Sequence, residues 1–156
     1  MYARLIPTPF GPLYAEASDR GLTSVRLLVL AEGFPEREHP LLERLAARVE
    51  RYFRGEPEMF LDLPLDYGDL PPARAALYER VRQVPFGQTT SYGALARELG
   101  LSARWVGAGM RSCPFFLVVP AQRVIHADGR LGGFMGAEGL KLRLLVHEGL
   151  EAGRFR

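Results

Sequence analysis

Hydrophobic and polar positions switch between a period near two and a period near 3.6 along this chain, and the switches mark out its elements. Tyr2 to Pro7, Pro12 to Ala17 and Leu22 to Leu30 read as three strands, separated by Gly11 and by the Ser18-Asp19-Arg20-Gly21 cluster. The result is an antiparallel meander. In the third strand Leu22, Ser24 and Arg26 alternate only imperfectly with Thr23, Val25 and Leu27, which leaves the buried face open. From Pro40 to Arg54 the period is helical: Leu41, Leu42, Leu45, Val49, Tyr52 and Phe53 share one side, and Gly55 stands where a C-terminal cap belongs. His39, just before this helix, reads as a solvated residue. Met59 to Leu63 reads as a further strand before Pro64, and Leu65 to Pro72, with Asp66 and Asp69, as a linker.

Helical spacing then takes over. Ala73 to Val84 places Ala76, Leu77, Val81 and Val84 on one face and stops before Pro85, and Phe86-Gly87 is a turn. Ser91 caps a helix from Tyr92 to Leu99, with Ala94, Leu95 and Leu99 inward and Gly100 ending it; Ser102 caps another from Ala103 to Arg111. Two short helices joined by Gly100-Leu101-Ser102 match the helix-turn-helix pattern, whose second helix reads nucleic acid, although such pairs also occur as plain scaffold. Gly107 and Gly109 inside that second helix cost together roughly 2 kcal/mol relative to alanine. The smooth surface they leave admits a close backbone, either a neighbouring helix or a narrow groove. Phe115 to Val119 is a continuous apolar run of the kind a fully buried strand shows, and Pro120 stops it. These elements divide the chain into a sheet-plus-helix domain over 1–70 and a mainly helical domain over 71–156.

Composition narrows the class. A chain of 156 residues with 47% apolar content has room for one large or two small cored domains. Cys113 is the one cysteine and makes no internal disulfide; with three scattered histidines it forms no zinc-ligand cluster. We therefore expect no metal, no cofactor and a cytoplasmic location. No run approaches the roughly 20 apolar residues of a membrane span, and the N-terminus lacks a signal peptide's apolar core, so no membrane partner is expected. The net charge of +2 conceals an asymmetry: residues 1–70 carry 8 basic and 12 acidic side chains, residues 71–156 carry 12 and 6, giving −4 and +6. The positive half holds the helix pair, a combination that favours DNA over scaffold. All basic residues except Lys141 are arginine, a bias we read as genome composition.

The run Pro120-Ala121-Gln122-Arg123-Val124, followed by Gly132-Gly133-Phe134 and closed by His147-Glu148-Gly149, resembles the active-site signature of the O6-alkylguanine-DNA alkyltransferases. In that family the motif reads Pro-Cys-His-Arg, and its cysteine takes the alkyl group from a flipped guanine. Ala121 stands here for the cysteine and Gln122 for the histidine, so the chain is similar to the alkyltransferase-like proteins, which keep the lesion-binding apparatus without the acceptor. The match runs from about Pro85 to Gly149. Before about Pro71 it is looser and rests on Thr8-Pro9-Phe10-Gly11-Pro12-Leu13, similar to the family's N-terminal hairpin.

The resemblance implies an α/β (α+β) fold: an N-terminal antiparallel sheet with a helix, then a winged helix-turn-helix DNA-binding domain. It also implies roles. The helix from Ala103 to Arg111 enters the minor groove, where Gly107 permits close approach and Arg104 fills the gap left by the extruded nucleotide. Tyr92 lies by the phosphate of that nucleotide, and Arg111 and Arg123 complete the DNA contacts. Ala121, Gly132, Gly133, Phe134 and Met135 line the lesion pocket, Phe134 replacing the family's tyrosine. Without the resemblance, Arg104 reads as a solvated charge, Tyr92 as a half-buried aromatic and Trp105 as packing. No catalytic residue is expected: Ala121 has no nucleophile, Gln122 has no titratable nitrogen, and the retained Glu148 reads as an anchor for arginine or backbone groups. His126 and His147 read as hydrogen-bonded scaffold. The implied function is a non-enzymatic sensor of O6-alkylguanine in double-stranded DNA, with nucleotide excision repair proteins as partners. Two alternatives stay open. Cys113 could be a relocated acceptor, although eight residues of extended chain span about 26 Å. The helix pair could also serve a transcription regulator.

Overall fold

The computed structural model describes residues 1–30, 32–134 and 138–156. It has the mixed α/β class, with a three-stranded antiparallel sheet in one unit and mostly helices in another. The first unit comprises Met1–Leu70 and Pro114–Val118, the second Pro71–Cys113 and Val119–Arg156. Residues 114–118, which the reading of 71–156 placed in the second domain, thus group with the first unit.

In the first unit, β1 (Tyr2–Ile6), β2 (Leu13–Ala17) and β3 (Leu22–Leu27) pair in the order β1-β2-β3. Leu13, Ala15 and Ala17 point inward from β2 with no exposure, opposite Leu27, Val25 and Leu22. Pairing shifts between Glu16 and Ala17, so Thr23 has no partner and Leu22 and Val25 reach the same face although three residues apart. That bulge is why the alternation in this strand looked imperfect. The strand ends at Leu27, short of the expected Leu30, and Val29 is 95% exposed. Helix α1 (Pro40–Phe53) buries Leu41, Leu42, Leu45, Val49 and Tyr52. His39 is its N-cap, Nδ1 accepting from the Leu41 N–H at 3.1 Å.

Two expected strands are turns. Over Met59–Leu63, Phe60 has φ 57° and its carbonyl accepts from Leu63, so the segment curls while still burying both side chains. Phe115–Val119 is buried throughout, yet Phe115 makes only an isolated bridge to Val25, Leu117 has φ 67° and the Val118 N–H bonds back to the Phe116 carbonyl. An apolar run reports burial, not extension. The expected linker is also partly structured: the Leu22 carbonyl accepts from Asp66 N–H at 2.7 Å, and Leu22 N–H donates to Pro64. Glycine is required at Gly21, where a Cβ would stand 2.6 Å from the Pro64 carbonyl oxygen.

The second unit contains α2 (Pro72–Arg82), α3 (Tyr92–Leu99), α4 (Ala103–Arg111) and α5 (Glu138–His147), with a short parallel pair of β4 (Thr90–Ser91) and β5 (Val124–Ile125). Helix α2 buries Leu77, Tyr78 and Val81, whereas Ala76, expected inward, is exposed. The caps at both ends of α3 are the expected ones: Ser91 Oγ accepts from Ala94 N–H at 3.1 Å, and Gly100 adopts φ 68°. Ser102 Oγ caps α4 from Trp105 N–H at 3.1 Å. Among the described residues no helix is long and apolar enough to cross a membrane.

Candidate functional site

The two glycines of α4 have different duties. Gly109 is the helix-packing one: a Cβ there would lie 2.8 Å from Leu77 Cδ2, and its carbonyl accepts from the Tyr78 hydroxyl at 2.7 Å. Gly107 lies on the other side and borders a cavity of about 310 Å³. From α4 the same wall receives Ala103, Arg104 and Arg111, and from α3 Tyr92 and Gly93; His126, Ala127 and Gly133 close it. Arg104 and Arg111 are exposed and carry no ion pair among the described residues, whereas Arg4, Arg44, Arg48 and Arg54 of the first unit are paired with carboxylates. Two of the second half's positive charges therefore stand at this cavity without a carboxylate partner among the described residues, whereas Arg80, Arg82, Arg123 and Arg130 are paired. Trp105 turns away from it, with the Arg74 guanidinium 4.8 Å over its ring. The first unit holds a larger groove of about 850 Å³, but Arg4 and Arg54 on its rim are neutralised by Glu38 and Glu50.

Tyr92 occupies the wall through contacts that fix both ring and hydroxyl. Its ring centroid lies 4.8 Å from that of His126, and Gly132, at φ 77°, presses so close that a Cβ would meet the Tyr92 hydroxyl at 2.8 Å. Burial pushes the Tyr92 pKa upward, with Arg111 opposing it. The hydroxyl oxygen accepts from Lys141 Nζ at 3.2 Å, which leaves its hydrogen to donate into the cavity. Lys141 is fully buried on α5 and donates also to the carbonyls of Val124, at 2.6 Å, and Leu131. Burial lowers its pKa to about 8. Sequence reasoning passed over this residue, although being the chain's one lysine among arginines was a signal in plain view.

Behind this wall, Ala121–Arg123 form a single 3-10 turn, all three buried. Gln122 Nε2 donates to Glu148 Oε2 at 2.9 Å, Gly87 N–H to Glu148 Oε1 at 3.0 Å, and Arg123 grips both oxygens at 2.8 and 3.2 Å while Nη1 reaches the Val84 carbonyl. Burial would raise the Glu148 pKa, but Arg123, Gly87 and Gln122 together hold it below its ordinary value. The assignment of Arg123 to DNA contact is therefore corrected: it is 1% exposed and its guanidinium is committed to Glu148.

The expected pocket residues are also divided. Gly133 borders the cavity and Gly132 backs Tyr92, whereas Ala121 and Phe134 are buried off its wall and Met135 lies outside the described residues. Position within a motif does not say which side chain faces open space. His126, read as scaffold, is on the wall, as are Ala103, Gly93 and Ala127, which sequence gave no reason to choose. Among the described residues no group of three or more His, Cys, Asp or Glu could hold a metal.

A sheet-plus-helix unit joined in sequence to a helical unit with this cavity has a counterpart among known families. The model of the 6-O-methylguanine DNA methyltransferase ribonuclease-like domain matches residues 1–67, and that of the same protein's DNA binding domain matches residues 72–150. The chain belongs to the 6-O-methylguanine DNA methyltransferase family. Within it, the chain is 61% identical to a DNA base-flipping protein of Thermus thermophilus, over 92% of this chain and 97% of that one. It is 34% identical to a methylated-DNA–protein-cysteine methyltransferase of Mus musculus, over 96% and 82% of the two chains. The crystal structure of Mycobacterium tuberculosis OGT in complex with DNA superposes with a TM-score of 0.80 at 29% identity, covering 99% of this chain and 95% of that one.

Proposed function

We propose that this protein binds double-stranded DNA containing O6-alkylguanine, holds the flipped base without taking its alkyl group, and leaves a persistent complex for nucleotide excision repair. The observation that carries the reading is the composition of the Glu148 network. Carboxylate, Arg123 and Gly87 are assembled, the first two buried, but Glu148 meets an amide, Gln122, where the family has an imidazole, and the neighbouring Ala121 ends in a methyl group. Alkyl transfer by displacement needs a thiolate and a base to generate it, and this network supplies neither. Cys113, the alternative acceptor, is buried beside Tyr78 at the α2–α4 contact, away from the cavity wall.

DNA engagement follows from the free face of α4, the second helix of a helix-turn-helix pair. Ala103 and Gly107 keep that face low enough for a minor groove, and Arg104, exposed and unpaired, takes the place of the extruded nucleotide in the stack. The Tyr92 hydroxyl donates to the backbone phosphate of that nucleotide, and Arg111 adds charge at the same wall. Flipping costs a few kcal/mol, less for a guanine whose pairing an alkyl group has weakened, so binding discriminates without chemistry.

Arg104→Ala is expected to weaken binding to an O6-methylguanine duplex by roughly tenfold, more than the loss of one phosphate contact, while binding to the intact duplex changes little. Titration of both duplexes across a salt series checks this. A slope of log affinity against log salt that drops by about one, with lesion preference intact, would make Arg104 an ordinary phosphate contact.

A further inference from the structure

The loop 125–132, part of the cavity wall, is tied at its start by the β4–β5 pair and near its end to Arg156, whose N–H donates to the Gly129 carbonyl at 3.0 Å and whose carbonyl accepts from Leu131 N–H at 3.3 Å. His126 N–H bonds to the Arg130 carbonyl at 2.8 Å and Gly129 N–H to the His126 carbonyl at 3.1 Å, which closes the loop on itself rather than onto a helix. One side chain adds a tie at both ends. Lys141 reaches from α5 to the carbonyl of Val124, just before the loop, and to that of Leu131, near its end, and takes the Tyr92 hydroxyl as its third acceptor. An ammonium has three donors, matching three acceptors; a neutral amine has two and loses charge assistance on each.

We propose that Lys141 is the positioning residue of the DNA-binding cleft, its ammonium holding Tyr92 and the two ends of the 125–132 loop against α4, so that loss of its proton loosens the wall and lowers the preference for the flipped base. The claim about base preference rests on the lesion-binding reading; the claim about the wall does not. Among the described residues, groups facing Lys141 are few. Tyr92 comes from α3, with Arg111 of α4 acting on it, and His126 comes from the loop, its ring tilted against that of Tyr92. No carboxylate pairs with Lys141 among the described residues, so nothing offsets its burial.

The direction of the pH effect separates positioning from plain support. With its pKa lowered from 10.5 to about 8, Lys141 binds more proton in the unfolded chain than in the folded one between those values. Its contribution to stability therefore grows as pH rises through that window, while its hold on the wall weakens. A residue that only supports the fold would move stability and binding in the same direction.

The chain's one lysine makes the test direct, because lysine labelled with 15N and 13C gives a single side-chain signal. In the free protein, amide resonances of residues 124–132 and the Tyr92 ring should shift with the same midpoint as Lys141, near pH 8. Amides that stay still through the lysine titration, or that follow His126 instead, overturn the positioning role whatever the DNA data say. On DNA, the ratio of affinities for O6-methylguanine and intact duplexes should be flat below about pH 7 and fall on the order of tenfold as pH passes Lys141's midpoint, the worth of about one charge-assisted hydrogen bond. Lys141→Met should show the low ratio at every pH. A folded Lys141→Met protein with the parent's ratio and pH profile contradicts the proposal. A parent with no preference at any pH contradicts the lesion-binding reading alone, since the resonance titration still decides the wall.

Discussion

Glu148→Ala is expected to destabilise the protein by about 3–5 kcal/mol, because removing one partner of a fully buried ion pair strands the other charge in the interior. Arg123 is 1% exposed and would lose its carboxylate partner, while Gly87 N–H and Gln122 Nε2 would each lose an acceptor. Denaturant unfolding of parent and variant at neutral pH measures the loss. Replacing both members by leucine should recover much of it, since a buried pair is of small net worth against apolar packing. The pH dependence has a definite sign. Because the folded-state pKa of Glu148 lies below its ordinary 4.5, the stability it lends is complete above that value and fades as pH falls through the lowered one. The difference between parent and Glu148→Ala should shrink in acid. A loss under about 1 kcal/mol, unchanged by pH, would show the network to be incidental.

Restoring the missing chemistry is expected to need two substitutions. Ala121→Cys alone should transfer an alkyl group slowly, because a thiol of ordinary pKa, about 8.5, is only a few per cent thiolate at neutral pH and Gln122 cannot take its proton. Adding Gln122→His should accelerate transfer by something on the order of ten- to a hundredfold. The geometry favours this: Gln122 Nε2 already lies 2.9 Å from Glu148 Oε2, so an imidazole nitrogen in its place finds a carboxylate to orient it. Single-turnover transfer from O6-methylguanine DNA, followed across pH, measures both variants. Rapid transfer by Ala121→Cys regardless of residue 122 would refute the relay, and no transfer by either would remove Ala121 from the captured base's surroundings.

Much of the frame was legible because its signals are local. The caps Ser91, Gly100 and Ser102 fix where α3 starts and stops and where α4 starts, and side-chain chemistry alone selects them. What sequence misread depends on three-dimensional neighbours. Phe115–Val119 has the composition of a buried strand, but Leu117 in the left-handed region turns it. The resemblance gave Arg123 to DNA; the carboxylate 25 residues further on claims it instead. The paired glycines of α4 announced a close approach but not of what, and the structure divides them between Leu77 and an open cavity. Lys141 was set aside as compositional accident, since its three acceptors come from separate parts of the chain.

The most direct measurement is equilibrium binding of the unmodified protein to two duplexes that differ by one O6-methyl group, at fixed moderate salt, with the intact protein mass read after incubation. Base capture contributes a term that counterion release does not, so the lesion duplex should bind at least roughly tenfold tighter, and the protein mass should not change. Equal affinity for the two duplexes, or a stoichiometric gain of one methyl group, would contradict the account.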